Sequence, residues 1–397
     1  MNQTLPNNLP PAELDQLDIG YMRLSDSAPL ILAQHLGLYE KYGLDVSLHR
    51  ETSWANIRDK TIAGAFDACQ MLATMPLITT LGAAGLRAPL ITGLVLSLNG
   101  DAITVSTILW KKMLAEREQS NTIKALESSH ALKAVIDNKP TATLTFATVH
   151  SFSNHTLLLR KWLQASGINP DIDIRIITLP PEQMIDSLAQ GIIDGFCAGS
   201  PWNTIAVKYG VGTIAATGFE IWNNAPGKVL GVLESWHSKH PTTHLRLRLA
   251  LMEACTWLEK KENQQVAIST LARPEYLNLP EDYICLSLAG KLQHERDRDP
   301  QNHDNFHVFS RYCCGFPWRS QAELILTQFS PILGKDLEQE KLSALAQQCF
   351  RTDLYREAAV KMDLPCPNND YKTEGQHAEP WLLDEAIELG SDLMLGN

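Results

Sequence analysis

Strand-like alternation and helix-like apolar spacing take turns along most of this chain. Residues 18–24 (DIGYMRL) alternate as a half-buried strand does, residues 28–38 form an apolar helical stretch stopped by Gly37 and Tyr42-Gly43, and residues 44–50 (LDVSLHR) alternate again. Residues 54–63 suit a second helix, with Ser53 placed as its N-cap. Short apolar strands are predicted at 66–71 and 90–96. Near Asp101 the character changes: residues 110–139 are charged and helix-prone, with a polar stretch at 117–122. The strand pattern restarts at 144–148, followed by a helix over 154–165 and a strand over 174–179 that ends at Pro180-Pro181. A helix at 182–190 and strands at 195–198 and 213–214 complete this stretch. From Val229 onward the chain is expected to re-enter the first unit, and a long amphipathic helix spans 240–260. Further helices fall near 264–272, 321–329, 337–346 and 353–362, and residues 365–370 read as a loop.

Strands alternating with helices predict α/β architecture with largely parallel sheets. The interruption and return predict two lobes with a ligand cleft between them. The boundaries expected are a disordered leader over 1–16, lobe one over 17–100, lobe two over 101–226, a return to lobe one with added helices over 227–362, and a C-terminal tail over 363–397.

Composition narrows the function classes. The hydrophobic fraction of 44% and charged fraction of 20% are those of an ordinary globular protein. A net charge of −11 argues against a nucleic-acid surface, which needs a basic stripe. No apolar run reaches the ~20 residues that span a bilayer. The first thirty residues carry no basic segment followed by an apolar run, which reads as no secretory signal and predicts a cytoplasmic location. The eight cysteines are scattered, without C-x-x-C or zinc spacing, as reduced structural thiols would be. Neither a P-loop, nor G-x-G-x-x-G after a strand, nor H-E-x-x-H, nor G-x-S-x-G is present, so the reading is a binding protein, not an enzyme, with no cofactor or metal.

Several segments carry a resemblance: SAPLILAQHLGLYEKYGLDVSL (27–48), ETSWANIRDKTIAGAFDACQML (51–72), LSLNGDAITV (96–105), NHTLLLRKWLQASGINPDIDIRIITLPPEQM (154–184), GIIDGFCAGSPWN (191–203), GKVLGVLESW (227–236) and DLYREAA (353–359). They resemble the nitrate- and bicarbonate-binding (NrtA/CmpA-like) proteins of cyanobacterial-type ABC transporters, over residues 17–362. The resemblance implies a two-lobed clamp of the periplasmic-binding-protein type (type II). With a cytoplasmic location it points to the nitrate/nitrite sensor branch (NasS-like). That branch implies an RNA-binding antiterminator (NasT-like) as protein partner, released when nitrate arrives. The alternative is the substrate-binding component of a nitrate ABC transporter.

Nitrate is planar and weakly hydrated, and a good site offers an aromatic wall, N–H donors and a cation in a dry cleft. Lys228, between Gly227 and Val229, reads alone as a loop lysine; its family position implies ligand contact. In the bicarbonate-binding relative that place is acidic and works with calcium, so a lysine implies nitrate or nitrite. His155 opens a helix after Ser151, Ser153 and Asn154, which puts a donor beside a helix N-terminus. Trp54 is implied as the aromatic wall, and Pro181 as a pocket-lining ring. Gly100 and Asp101 stand where lobe one hands over to lobe two. The family pattern has a glutamine at the place of Asp101. A carboxylate there repels an anion unless it points away or pairs with Lys228, and Asn99 or Gln70 is then expected to supply the lost amide donor.

Overall fold

The computed structural model describes residues 9–83, 85–116, 124–138, 142–334 and 336–396. The first eight residues of the expected leader and the polar stretch at 117–122 lie outside the described residues.

Among the described residues, ten strands and the two-residue strand His307–Val308 make up the two sheets. In chain order the ten are β1 (Gln16–Met22), β2 (Asp45–Glu51), β3 (Ala68–Leu72), β4 (Leu90–Asn99), β5 (Asp101–Ser106), β6 (Thr145–Thr148), β7 (Arg175–Thr178), β8 (Gly195–Gly199), β9 (Gly212–Thr217) and β10 (Pro226–Leu233). Lobe one is built on a sheet in which the two-residue strand His307–Val308 is followed by β4, β10, β3, β1 and β2; lobe two has the order β7-β6-β8-β5-β9. In lobe one β1 runs parallel to β2 and β3, while β10 is antiparallel to β3 and β4. In lobe two β6 is parallel to β7 and β8, while β5 is antiparallel to β8 and β9.

All ten residues of β4 are buried, which explains its largely apolar make-up without alternation: a strand covered on both faces has no polar side to alternate with. The chain then changes sheets across one residue. Asn99 and Gly100 both take positive φ, at 58° and 87°, and β5 begins at Asp101. The return passes through Asn224, also at positive φ (54°), into β10.

Helices Ala28–His35 and Pro241–Leu258 pack Leu30, Ile31, Leu247 and Leu251 against Ile19, Leu94 and Leu230 of the first sheet. In lobe two, Trp162, Leu159 and Phe146 form the centre of a second core. Helices Arg319–Leu333 and Gln339–Cys349 join that core through Ile325, Phe329 and Leu345, and they also touch Leu77 and Ile78 of helix Met75–Leu81. The C-terminal helices therefore lie against both lobes.

Three expectations need correction. From residue 9 the leader is anchored rather than disordered. The Glu13 carboxylate accepts from the N–H groups of Thr242 (3.0 Å) and Thr243 (2.7 Å), donors that the start of helix Pro241–Leu258 leaves unpaired. Arg246 also donates to the Pro10 carbonyl. The helix expected over 182–190 is a 3-10 turn, Pro181–Gln183, followed by helix Met184–Ala189. The tail contains a hairpin, Trp381–Leu383 with Ile387–Leu389, and residues 391–395 pack on the turn before β10. Among the described residues no helix is long and apolar enough to cross a membrane.

Candidate functional site

The buried charges of this chain converge where the lobes meet. β1 ends at Met22, and a tight 3-10 turn (Ser25–Ser27) carries Asp26 into the junction before helix Ala28–His35 begins. Gln70 of β3 holds that turn: its amide oxygen accepts from Met22 N (3.0 Å) and Ser27 Oγ (2.9 Å), and its Nε2 donates to Asp26 Oδ1 (2.7 Å). Trp54 opens helix Trp54–Ile62, capped by Ser53, whose Oγ accepts from Asn56 N at 3.2 Å. From lobe two, Asp101 is the first residue of β5, and His155 lies in the first turn of helix Asn154–Gln164, capped by Ser153.

Lys228 is the hub. It lies within β10, not in a linking loop, and neither it nor Asp26 is exposed at all. Its Nζ stands 2.9 Å from Asp26 Oδ2, 3.5 Å from Asp101 Oδ1 and 5.9 Å from the centre of the Trp54 ring. Asp101 Oδ1 is also 2.9 Å from His155 Nε2. These are contacts at ion-pair distance without aligned hydrogen bonds: Lys228 Nζ and both ring nitrogens of His155 have none. The indole N–H groups of Trp54 and Trp202, buried in one apolar cluster, are likewise unpaired. The junction thus holds several unused donors in a dry setting, where each is costly to leave unmet.

Burial alone would raise the Asp101 carboxyl, but its neighbours His155 and Lys228 outweigh it and hold the group well below the usual carboxylate range. Burial would depress the Lys228 ammonium; Asp101 and Asp26 reverse that and raise it above its ordinary value. His307 packs its ring on Gly100, where a Cβ would stand 2.5 Å from its Cε1, and burial pushes it down to about 4.

The lobes are in contact around this cluster. Ser25 N donates to Ser200 O (2.9 Å), Thr74 Oγ1 to Phe152 O (2.6 Å), and Arg23 lies 3.4 Å from Glu182. Asn154 Nδ2 donates to the Pro226 carbonyl at the second crossing.

Of the residues singled out from sequence, Trp54, Asp101, His155 and Lys228 meet in this cluster, and Gln70 adjoins it as the support of Asp26. Asn99 does not serve as a donor to a ligand. Its Nδ2 is committed to Asn305 O (2.8 Å) and Asn224 Oδ1 (3.3 Å), so it braces the crossing. Gly100 shapes the crossing and seats His307. Pro181 is buried at the head of its turn, next to Met184 of the cluster that holds Trp54. Asp26 and His307 were not anticipated. The Ser-Asp-Ser run before Pro29 was a usable signal for Asp26; nothing near residue 307 pointed to this place. Among the described residues no group of three or more His, Cys, Asp or Glu side chains could hold a metal ion.

Comparison with known proteins follows the same lines. The model of the NMT1-like family matches residues 10–272. The chain is 36% identical over 378 residues to the nitrate import ATP-binding protein NrtC of Synechocystis sp., covering 95% of this chain but 54% of that one, so it spans about half of that relative's length. It is 31% identical over 371 residues to the nitrate/nitrite binding protein NrtA of Synechococcus elongatus, covering 90% of this chain and 81% of that one. The crystal structure of the periplasmic nitrate-binding protein NrtA from Synechocystis PCC 6803 superposes with a TM-score of 0.84 at 24% identity, over 96% of this chain and 97% of that one, which shows a common two-lobed fold. With a family match over most of its length and a relative of this similarity aligned almost end to end, the chain belongs to the NMT1-like family, among the relatives of the nitrate- and bicarbonate-binding proteins.

Proposed function

We propose that this chain binds nitrate or nitrite between its lobes and passes its occupancy to a protein partner in the cytoplasm, an RNA-binding antiterminator (NasT-like). The observation that carries the reading is Lys228, fully buried, with unused donor capacity, beside Trp54 of the same lobe where the two lobes meet. A cation against an aromatic face, with buried N–H groups nearby, suits a small planar anion. The names of NrtA and NrtC support nitrate as the ligand class. Eight free thiols, five of them buried, suit a reducing compartment.

Lobe one supplies Trp54, Asp26 and Lys228; lobe two supplies Asp101 and His155. An anion touching both sets favours the closed clamp. A partner that grips the open form is then released, and by linkage it weakens anion binding by the same factor. Calorimetry with nitrate, nitrite, bicarbonate and chloride tests the ligand. Size-exclusion chromatography of the chain co-expressed with the antiterminator, with and without nitrate, tests the partner. A complex indifferent to nitrate, or no complex, defeats the sensor role.

The second reading is the binding component of a nitrate ABC transporter. It is favoured by the likeness to a protein named for import and to another named as periplasmic. Nitrate binding without an antiterminator complex, but with capture by a permease, supports it.

A further inference from the structure

The charge count at the junction is unusual for a site that takes an anion. Asp26 and Asp101 face one lysine, so two carboxylates stand against one fixed cation before any ligand arrives. Asp101 is 2% exposed, and Lys228, Asp26 and His155 are not exposed at all. Adding nitrate to ionised carboxylates would leave two negative charges in excess in a place without solvent. A buried group changes its protonation rather than remain unpaired under such conditions.

The donor count points the same way. A neutral imidazole carries one N–H, and an imidazolium carries two. His155 Nε2 stands 2.9 Å from Asp101 Oδ1, and its Nδ1 is buried and unpaired. If the single N–H of a neutral ring faces Asp101, none remains for an anion. With a second proton the ring holds Asp101 through one nitrogen and offers the other to the ligand.

We propose that this site takes up a proton together with its anion, held on the His155–Asp101 pair, and so grips nitrate more tightly as pH falls. This rests on the nitrate reading above. The other groups facing Asp101 do not take the proton. Lys228, from β10, already carries its charge and is held in that state by the two carboxylates. His307, from the strand beside β4, is kept neutral by burial, which pushes it down to about 4. Cys197, opposite Ile103 on β8, is a buried thiol that Asp101 disfavours further as a thiolate. Asp26, on the turn after β1, is committed through one oxygen to Gln70 and through the other to Lys228.

The test is calorimetry of the full chain with sodium nitrate, near pH 7.5, in buffers of different ionisation enthalpy. The slope of observed enthalpy against buffer enthalpy gives the protons taken up per nitrate. We expect about one, with Kd rising about tenfold per pH unit between roughly 7 and 8.5, as linkage of one proton requires. Asp101→Asn and His155→Gln should each bring the uptake close to zero and flatten the pH profile. A zero slope with a flat Kd in the unmodified chain overturns the inference and leaves nitrate binding intact. So does an uptake unchanged in both variants, which would send the proton elsewhere. If no nitrate binds between about pH 6 and 8.5, the functional reading fails and takes this inference with it. Should either variant not fold, the slope measured on the unmodified chain decides alone.

Discussion

Asp101 Oδ1 reaches across the lobe boundary to within 3.5 Å of Lys228 Nζ. One side chain begins the first strand of lobe two, and the other lies within the strand that returns to lobe one. An ion pair that spans the cleft draws the lobes together before any ligand does. Ligand preference for the closed form is therefore measured against a clamp that already has a bond across it.

Lys228→Met should be strongly destabilising. Removing one partner of a buried ion cluster leaves uncompensated charge and costs on the order of 3–5 kcal/mol. Here Asp26 and Asp101 would both lose their cation. Urea denaturation should show that loss, and the triple change with Asp26→Asn and Asp101→Asn should recover much of it. A stability unchanged in Lys228→Met would mean that the three groups do not interact as described.

Gly100→Ala probes the crossing. The new Cβ meets the His307 ring at 2.5 Å and forces a side chain onto a residue at φ +87°. Gly64→Ala imposes comparable backbone strain (φ +74°) with nothing within 4 Å. The control should cost about 1 kcal/mol, and Gly100→Ala distinctly more. Thermal melting of the two variants checks the order; equal losses would remove the contact with His307 from the explanation.

Acid should weaken the fold in steps. Burial pushes His150, His303 and His307 each down to about 4, and His244 well below its usual value. Such groups bind fewer protons folded than unfolded. Their stabilising effect is whole above the ordinary imidazole value near 6.5 and is lost as pH falls toward about 4. The lowered Asp101 carboxyl acts in a lower window: its contribution is present above the unfolded carboxylate value near 3.9 and is lost below it. Denaturation midpoints should hold steady at neutral pH and then fall between about 6.5 and 4. His307→Gln should shallow that slope.

Much of the strand and helix order could be read along the sequence because alternation and apolar spacing were clean. The strand seen at Thr145–Thr148 lies within the expected 144–148, and helix Asn154–Gln164 ends one residue short of the expected 165. Residues 101–106 were harder. The pattern places the change of lobe at 101 but predicts no strand over 101–106, because these residues run on from the apolar β4 with only Gly100 between them. The site divides in the same way. Lys228, His155 and Trp54 stood out through family positions. Asp26 reaches the cluster only because β1 and β10 lie either side of β3, and His307 only because a strand far later in the chain returns to pair with β4. Pairings of that range leave no local trace. Asn99 was misread for a similar reason: its amide looked available until Asn224 and Asn305 were brought beside it.

The segment at 391–395 lies against the turn that leads into β10. Asn223 N donates to Leu393 O (2.9 Å), Leu395 N to Ile221 O (2.8 Å), and Asn224 Nδ2 to Ser391 O (2.8 Å). Two crossings alone would let the lobes swing as on a door hinge. With a third length of chain fastened beside one of them, rotation must bend or shed that fastening. The segment works as a brace on the axle: parting the lobes there would have to strain or break these three bonds.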